Sequence, residues 1–235
     1  MGKVIEREDL PVVAINLLTK DRPEFAIQTI HAALRHLKYD GKLSWVISDN
    51  GSTPENSKRV QRAIPNPTHY FNEGTIGACW NGGLKYIFSN TDIYLRLEDD
   101  MRLKGPLDIT PYVKILMTEP MVGMIRLGQM VQDLVMLSRK FKTFTHIGWD
   151  EDIYFDVGKH MSYAFSGHPC LIHKRFHDAY GYFPEEPLTA GEIEVRMDAV
   201  FRNTSNSNIA GIYFPHDMGR FGTWGAWDHI GTEKA

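Results

Sequence analysis

Three consecutive acidic residues follow an apolar run in the middle of the chain, and they are Glu98, Asp99 and Asp100. The run begins at Ile93 after a polar turn cluster, and its aromatic and β-branched residues predict a buried strand. The acids would then lie at the carboxyl end of a strand, where open α/β sheets bind ligands. Clustered carboxylates repel each other unless a cation holds them together, and oxygen ligands favour Mg²⁺ or Mn²⁺. The alternative is a solvated acidic turn, because blocks of like charge are usually exposed.

The segments around these acids alternate between apolar runs and amphipathic stretches with helix-start signals. Parallel strands joined by right-handed helical crossovers are the simplest arrangement of such an alternation. We therefore expect an α/β fold with a mostly parallel central sheet flanked by helices. The predicted strands cover residues 11–18, 43–48, 68–71 and 93–97, and the predicted helices cover residues 23–37, 54–64 and 76–88.

The pattern is looser after Pro106. Between Gly128 and Lys159, Met, aromatic and charged residues mix without a helix period, and we interpret this segment as loops and short antiparallel strands. Its basic run at 138–142 is interpreted as a solvated face rather than a contact to an anionic partner. Further helices are predicted at 111–117, 175–180 and 192–202, and further strands at 122–127, 170–173 and 209–214.

Length and composition predict one domain covering residues 1–235, because 43% hydrophobic content is enough for a full core. The net charge of −3 argues against a protein that grips a phosphate backbone, although a local basic patch leaves a nucleic acid acceptor open. Neither a long apolar run nor a signal-like start is present, so we expect a cytoplasmic protein without a transmembrane segment. Cys79 and Cys170 are too few for a disulfide framework and are predicted to be packing residues.

Two common nucleotide-binding motifs are absent. Neither G-x-G-x-x-G after the first strand nor G-x-x-x-x-G-K-[ST] occurs, so the dinucleotide and P-loop classes lack their phosphate-binding glycines. Four other motifs follow each other along the chain. They are TKDRPE at 19–24, DNGST at 49–53, N-E-G-x-x-G-A-x-x-N-x-G-L at 72–84, and the acidic strand end at 98–100.

In this order the four motifs resemble the family 2 glycosyltransferases, which have the GT-A fold. The resemblance covers about the first hundred residues well and the rest loosely. It implies one Rossmann-like domain in which residues 1–105 bind a nucleotide sugar and residues 106–235 form a smaller antiparallel and loop region for the acceptor. It also implies metal-dependent transfer, with Mn²⁺ or Mg²⁺, from a nucleoside diphosphate sugar, first of all a UDP-sugar. The acceptor would be a hydroxyl of a glycan, glycolipid, protein or other compound, and transfer would proceed with inversion.

The resemblance also implies which residues hold the donor. Asp49 would accept a hydrogen bond from a uracil N–H or a ribose hydroxyl, or else would support the turn that follows it. Gly77 would approach the nucleotide or only permit close helix packing. The residues that the resemblance places at the nucleotide are Thr19, Asp21, Arg22, Asp49, Gly77 and Asn81.

The metal motif of the family is Asp-x-Asp, where this chain has Glu98-Asp99-Asp100. The resemblance implies direct metal contact for Asp100, then for Asp99, and a ribose or water-mediated contact for Glu98. The catalytic base of the family lies in a Gly-Glu-Asp segment, which corresponds here to residues 191–194. Glu192 or Glu194 would act as the base, and Glu192 is preferred because it lies nearer the helix start, unless it merely caps the helix.

Four residues near the C-terminus complete the expected site. His216 would be a further metal ligand, as in several GT-A enzymes, since Mn²⁺ accepts imidazole readily, or else it is structural. Arg220 would close over the diphosphate. Trp224 and Trp227 would stack on a sugar face or be buried against the sheet.

Two other functions stay open at this point. A nucleotidyltransferase acting on sugar phosphates would also bind a nucleotide on an α/β sheet, but usually has glycines and a basic residue after its first strand. A module that binds nucleotide sugars without catalysis would be compatible with Glu98 and with Ile193 at the position of the missing Asp. The sequence does not indicate the oligomeric state.

Overall fold

The computed structural model describes residues 6–128, 143–145, 152–156, 165–204, 211–214 and 225–232. Its strands are β1 Val13–Thr19, β2 Leu37–Lys38, β3 Leu43–Asp49, β4 Thr68–Phe71, β5 Ile93–Glu98, β6 Met101–Leu103, β7 Leu107–Asp108, β8 Val122–Arg126, β9 Thr143–Thr145, β10 Asp152–Asp156, β11 Cys170–His173, β12 Gly211–Phe214 and β13 Trp227–His229. Its helices are α1 Pro23–His36, α2 Pro54–Arg62, α3 Ile76–Phe88, α4 Thr110–Thr118, α5 Lys174–Tyr180 and α6 Ala190–Asn203, with short 3-10 turns at Arg7–Asp9 and Ile230–Thr232.

Among the described residues, the central sheet has nine strands in the order β4-β3-β1-β5-β11-β8-β12-β10-β9. The first four of these are parallel to one another, and β11 then runs antiparallel to both β5 and β8. Because β11 is antiparallel to both of these neighbours, β8 points the same way as β5. The carboxyl ends of β1, β3, β5 and β8 therefore meet the start of β11 at one edge of the sheet, which we call the carboxyl edge.

Two apolar cores cover the two faces of this sheet. Alternate residues of β1 face opposite sides: Ile15 belongs to the core under α1 and α4, and Ala14 belongs to the core under α3, α5 and α6. Both residues are almost fully buried, as expected for parallel strands covered by helices on each face. The strands thus form a rigid layer whose loops at the carboxyl edge are held from both sides.

The expected fold class is confirmed, since the chain has a mixed α/β fold with a mostly parallel central sheet flanked by helices. The bounds of β4, α3 and β11 agree with the sequence-based ranges, and the other predicted ends differ by a few residues. The predicted antiparallel insertion contains the pair β9 and β10. Cys79 and Cys170 are buried free thiols, in agreement with their expected packing role. Among the described helices, none is long and apolar enough to cross a membrane.

Short strands that the sequence did not reveal bring the end of the chain to the carboxyl edge. β13 pairs antiparallel with β6, which follows the acidic turn directly, and β2 pairs with β7. Trp227 in β13 is buried in the first core, so its indole packs inside the protein, as the alternative interpretation held. His216, Arg220, Trp224 and the basic run at 138–142 lie outside the described residues.

Candidate functional site

The three acids lie at the carboxyl edge, as the sequence predicted. β5 ends at Glu98, and the chain turns through Asp99 and Asp100 into β6. The hydroxyl of Thr29 on α1 donates to the backbone oxygen of Asp99 (2.8 Å), which fixes the turn to the helix beneath it. Because both Asp side chains are nearly buried, the turn cannot be the solvated acidic turn that was the alternative.

Arg22 is the counter-charge of the two aspartates. Its Nη1 lies 3.1 Å from Oδ1 of Asp99, and its Nη2 donates to Oδ2 of Asp100 (2.8 Å). Thr19 at the end of β1 adds a hydrogen bond from its hydroxyl to Oδ2 of Asp99 (3.0 Å). Burial raises the pKa of Asp99 to about 6 although Arg22 opposes this rise, and the charge of Asp100 adds to it. The structure thus uses Thr19 and Arg22 to hold the acids, and their contact to a nucleoside stays a prediction.

A histidine that the sequence analysis missed joins this group from β13. Nε2 of His229 lies 3.2 Å from Oδ2 of Asp100, and its side chain is 36% exposed. The backbone N–H of Ile230 donates to the carbonyl of Asp100 (2.8 Å). A β-carbon at Gly231 would lie 2.3 Å from Oδ2 of Asp100 and 2.5 Å from Nη2 of Arg22, so a larger residue there would displace these side chains. The sequence gives no signal for this contact, because no local pattern joins the segment WDHI at 227–230 to β6.

Glu98 is oriented by a buried arginine two residues earlier on the same strand. Nη2 of Arg96 donates to Oε1 of Glu98 (3.0 Å), and Nη1 donates to the carbonyl of Ser166 (3.2 Å). Burial raises the pKa of Glu98 to about 7, while the charge of Arg96 opposes the rise. Three aromatic rings surround the guanidinium of Arg96, with centroids 4.9, 5.6 and 5.5 Å from its central carbon: Trp80, Phe165 and Phe183.

The two candidate bases on α6 point in different directions. Glu192 forms a capping box with Thr189: its Oε2 accepts from the backbone N–H and the hydroxyl of Thr189, each at 2.8 Å. Glu194 instead approaches the carboxyl edge, since a β-carbon on Gly167 would lie 1.9 Å from its Oε1 and 3.1 Å from Oε1 of Glu98. These contacts favour Glu194 over Glu192, contrary to the sequence-based preference, and the identity of the base stays a prediction.

Asp21 joins the first two motif loops to each other. Its Oδ1 accepts from the backbone N–H of Thr53 (2.7 Å) and from the amide of Asn56 (3.0 Å), and its own N–H donates to the hydroxyl of Ser52 (2.9 Å). These hydrogen bonds, led by that of Thr53, lower the pKa of Asp21. The residue has a positive φ of 49°, which Asp tolerates better than most side chains. Its described contacts therefore belong to the scaffold.

Asp49 lies at the end of β3 with its side chain almost fully buried. Oδ1 accepts from the backbone N–H of Ser52 (2.8 Å), and Oδ2 lies 3.2 Å from Nε2 of His69. Burial alone would raise the pKa of Asp49, but hydrogen bonds from Ser57, Ser52 and His69 together lower it. The carboxylate thus supports the turn, as its alternative role required, and a contact to a nucleoside stays a prediction.

A surface pocket of about 310 Å³ lies beside this turn. Two of its residues belong to the surroundings of Asp49: the backbone N–H of Ser52 donates to Oδ1 of Asp49, and the hydroxyl of Ser57 lies 3.1 Å from Nε2 of His69. The half-exposed ring of Phe71, at the end of β4, gives the pocket an apolar wall. The residues that line it are Ser52, Pro54, Ser57, Lys58, Gln61, Phe71 and Glu73.

Gly77 and Asn81 attach α3 to the segment before α6. The amide nitrogen of Asn81 donates to the carbonyl of Phe183 (2.9 Å) and to Oε1 of Glu185 (2.8 Å), and its oxygen accepts from the N–H of Phe183 (3.1 Å). A β-carbon on Gly77 would lie 1.8 Å from the carbonyl oxygen of Pro184. Both residues therefore serve close packing in the structure, and their contact to the nucleotide stays a prediction.

The described residues contain no group of three or more His, Cys, Asp or Glu side chains arranged to hold a metal ion. Asp100 and His229 nevertheless form a pair, with Oδ2 and Nε2 3.2 Å apart. Two neighbouring ligands of one octahedral ion with bonds of about 2.1 Å are about 3 Å apart. Oxygen and imidazole donors together suit Mn²⁺. The pair fits an ion that takes its other ligands from a bound diphosphate and water, as nucleotide-associated ions usually do.

Comparison with known proteins gives the fold a name. No protein-family profile matches the sequence, and no curated protein matches it. Solved structures do match: the mannosyltransferase PcManGT from Pyrobaculum calidifontis, in complex with GDP-Man and Mn²⁺, has a TM-score of 0.56 at 12% identity over 92% of this chain. TarS 1-349 from S. aureus with UDP-GlcNAc has a TM-score of 0.58 at 12% identity over 96%, and GalNAc-T7 with UDP, GalNAc and Mn²⁺ has 0.58 at 11% over 88%.

The chain therefore has the fold of GT-A glycosyltransferases. It spans 60% of the PcManGT chain, 62% of the TarS chain and 43% of the GalNAc-T7 chain. At these identities the likeness concerns the fold alone.

Proposed function

We propose that this protein is a glycosyltransferase that moves a sugar from a nucleoside diphosphate donor to an acceptor hydroxyl. One observation carries the proposal: at the carboxyl edge of a GT-A sheet, Asp100 lies against Arg22 and His229, while Glu194 approaches Glu98. This arrangement puts groups that bind a diphosphate next to a carboxylate that can accept a proton. The other side chains of the four motifs hold the loops that carry this site.

Residues 1–105 would bind most of the donor. The pocket beside Asp49 would take the nucleoside, with the ring of Phe71 against the base and the serine and glutamate side chains of its wall as hydrogen-bonding groups. The diphosphate would lie toward Arg22, since a guanidinium binds phosphate oxygens with two nitrogens at once. A UDP-sugar is the first donor to test, and a GDP-sugar is the second because PcManGT was solved with GDP-Man.

Asp100 and His229 would hold a Mn²⁺ or Mg²⁺ ion between the protein and the diphosphate. When bound, such an ion neutralises the charge that develops on the leaving diphosphate. Asp100 is the group best placed for this contact, because its Oδ2 already meets the imidazole of His229. His229 would have the role that the sequence analysis expects of His216, which lies outside the described residues.

Glu194 would be the catalytic base. It would take the proton of the acceptor hydroxyl while that oxygen attacks the anomeric carbon on the face opposite the leaving diphosphate, which gives inversion. Glu192 is less suited, because its carboxylate accepts two hydrogen bonds from Thr189 at the helix start and its pKa is lowered by them. Glu98, held by Arg96, would border the same space and orient the donor through its ribose or a water.

A donor panel tests the proposal. The protein is incubated with Mn²⁺, a mixture of glycan and small hydroxyl acceptors, and UDP- or GDP-linked sugars in turn, and release of UDP or GDP is measured. Release that depends on the protein supports glycosyl transfer. Pyrophosphate from a nucleoside triphosphate and a sugar phosphate would indicate a nucleotidyltransferase instead. Binding of a nucleotide sugar by calorimetry without any release would indicate a module without catalysis.

A further inference from the structure

Arg22 occupies the place where a divalent cation would otherwise compensate the acidic turn. The side chains of Asp99 and Asp100 are only 6% and 9% exposed, and each pairs with a different nitrogen of the same guanidinium. Two nearly buried carboxylates next to each other are costly without a cation, and the planar fork of arginine suits two acceptors at once. Arg22 therefore acts as the resident counter-cation of the turn.

A metal ion and Arg22 would compete for the same carboxylate. Nη2 of Arg22 is 2.8 Å from Oδ2 of Asp100, and this oxygen also meets Nε2 of His229. Two cations on one oxygen repel each other strongly when the site is partly buried. Together with the two-ligand set of Asp100 and His229, this competition argues against tight binding of a metal ion before the nucleotide arrives.

Arg22 could also bind a second kind of partner, the phosphate oxygens of a diphosphate. Its side chain is 39% exposed at the carboxyl edge, and its guanidinium lies over the ring of Phe25 at 4.8 Å, so it is not enclosed by the carboxylates. A diphosphate at this edge would offer the guanidinium phosphate oxygens with the same two-point geometry. If the guanidinium of Arg22 moves from Asp100 to the diphosphate, it no longer competes with a metal ion for the carboxylate of Asp100.

We propose that Arg22 makes metal binding conditional on the nucleotide. As an internal cation, it compensates the charge of the Asp99–Asp100 pair until a diphosphate binds its guanidinium instead. This inference rests on the proposed function for the nature of the two ligands. Nucleotide and metal then bind with positive coupling, and by linkage each raises the affinity for the other by the same factor. Removing Arg22 should break the coupling by strengthening metal binding in the absence of nucleotide.

The test measures Mn²⁺ affinity by the loss of the free-ion electron paramagnetic resonance signal, without any donor sugar or turnover. Wild type, Arg22→Ala and Arg22→Lys are titrated alone and with saturating UDP or GDP. Arg59→Ala is the matched control: Arg59 pairs with the exposed Glu24 and is 41% exposed, so the variant loses the same charge at similar exposure. Thermal unfolding with and without Mn²⁺ shows that each variant is folded.

We expect Arg22→Ala to bind Mn²⁺ alone at least about tenfold more tightly than wild type, within the usual range of coupling between sites. Nucleotide should then improve its Mn²⁺ affinity far less than it improves that of wild type. The Mn²⁺ affinity of Arg22→Lys should lie between those of wild type and Arg22→Ala, since one ammonium cannot bridge two carboxylates. The Mn²⁺ affinity of Arg59→Ala should match that of wild type.

Equal or weaker Mn²⁺ binding by Arg22→Ala, an equal nucleotide effect in wild type and variant, or no Mn²⁺ binding in any sample would each overturn the inference. Arg22→Lys alone decides the question if Arg22→Ala does not fold, because its Mn²⁺ affinity must then exceed that of wild type. A failure here is separate from a failure of the proposed function, since donor turnover by wild type is measured independently.

Discussion

The first and second halves of the chain differ in what their polar residues do at the carboxyl edge. In the first half, Asp21 and Asp49 accept hydrogen bonds that hold the loops after β1 and β3 in place. In the second half, Glu194 and His229 approach the acidic turn from elements far along the chain. The described contacts of the two aspartates in the first half thus belong to the scaffold of the site. In our proposal the second half adds the base and one metal ligand.

This difference has a practical consequence for mutations. Substitutions in the first half should affect donor binding and stability together, because loop contacts and ligand contacts share the same side chains. Substitutions of Glu194 or His229 should affect turnover with little change in folding. The exception is Asp100, which belongs to the first half but contacts both Arg22 of that half and His229 of the second half.

The largest effect is expected for Asp100→Asn. The change removes the carboxylate that we propose as the ligand of the metal ion, so nucleotide release should fall by about 10³-fold or more. The free energy of unfolding should change by only about 1 kcal/mol, since lost repulsion from Asp99 offsets the lost pairing with Arg22. Kinetics at saturating Mn²⁺ and thermal unfolding measure the two quantities. Near-wild-type turnover would remove Asp100 from the metal site.

Glu194→Gln should lower sugar transfer by about 10² to 10⁴ while donor binding is retained, because the amide keeps the shape of the side chain but cannot accept the proton. Glu192→Gln is the matched control two residues away on α6, and it should transfer sugar like wild type. Inactivity of Glu192→Gln with an active Glu194→Gln would return the base to Glu192. If both variants stay active, neither residue is the base, and a retaining mechanism without a protein base becomes the better explanation.

Gly167→Ala should lower transfer by about 10²-fold although it removes no charged group. Its methyl group would lie 1.9 Å from Oε1 of Glu194, so the flexible carboxylate must move away while the backbone stays in place. A displaced Glu194 in the crystal structure of the variant, with unchanged donor affinity, would confirm the cause. Full activity with a displaced Glu194 would argue against this residue as the base.

Asp49→Ala should raise the Michaelis constant for the donor by about tenfold and lower the turnover number less, because the base of the nucleotide lies away from the reacting carbon. The variant should also lose about 1–3 kcal/mol of unfolding free energy, since Ser52 and His69 lose their buried acceptor. Calorimetry with UDP and denaturant unfolding give the two values. Unchanged UDP affinity with reduced stability would leave Asp49 with its turn role alone.

The last prediction concerns stability in acid rather than activity. Burial lowers the pKa of His177 to about 4, and its ring lies between the hydroxyl of Tyr94 and the carbonyl of Gly181. The unfolded chain protonates this imidazole below about pH 6.5 while the folded protein does not, so unfolding free energy falls as the pH drops from 6.5 toward 4. His177→Gln should flatten this fall by up to about 3 kcal/mol. Denaturant unfolding at several pH values measures this dependence. An equal slope of unfolding free energy against pH in wild type and His177→Gln would contradict the expectation.

The sequence predicted the first half well, because the residues that make its elements are neighbours along the chain. Once the run from Ile93 is predicted to be a strand, the acids that follow it must lie at the carboxyl edge, and the structure has them there. The side-chain contacts were less accessible, since Arg22 meets Asp100 across 78 residues. A local motif cannot show that an arginine of one loop is the counter-cation of another.

The second half was predicted less well because its site depends on contacts between distant segments. β13 pairs with β6 across more than a hundred residues, so no local signal pointed to His229. The choice between Glu192 and Glu194 depended on how α6 is rotated about its axis, and the capping box with Thr189 settles the direction of Glu192. The threonine and glutamate of that box are visible in the sequence and would have given this direction.

A crystal structure with a nucleotide sugar and Mn²⁺ is the most direct test of the site. We predict a Mn²⁺ ion bound by Asp100, His229 and the diphosphate, with the anomeric carbon open toward Glu194 on the side away from the leaving group. The nucleoside should lie in the pocket beside Asp49. A donor bound elsewhere on the protein, or a diphosphate at the carboxyl edge with Glu194 on the far side of the sugar from any acceptor, would contradict this assignment.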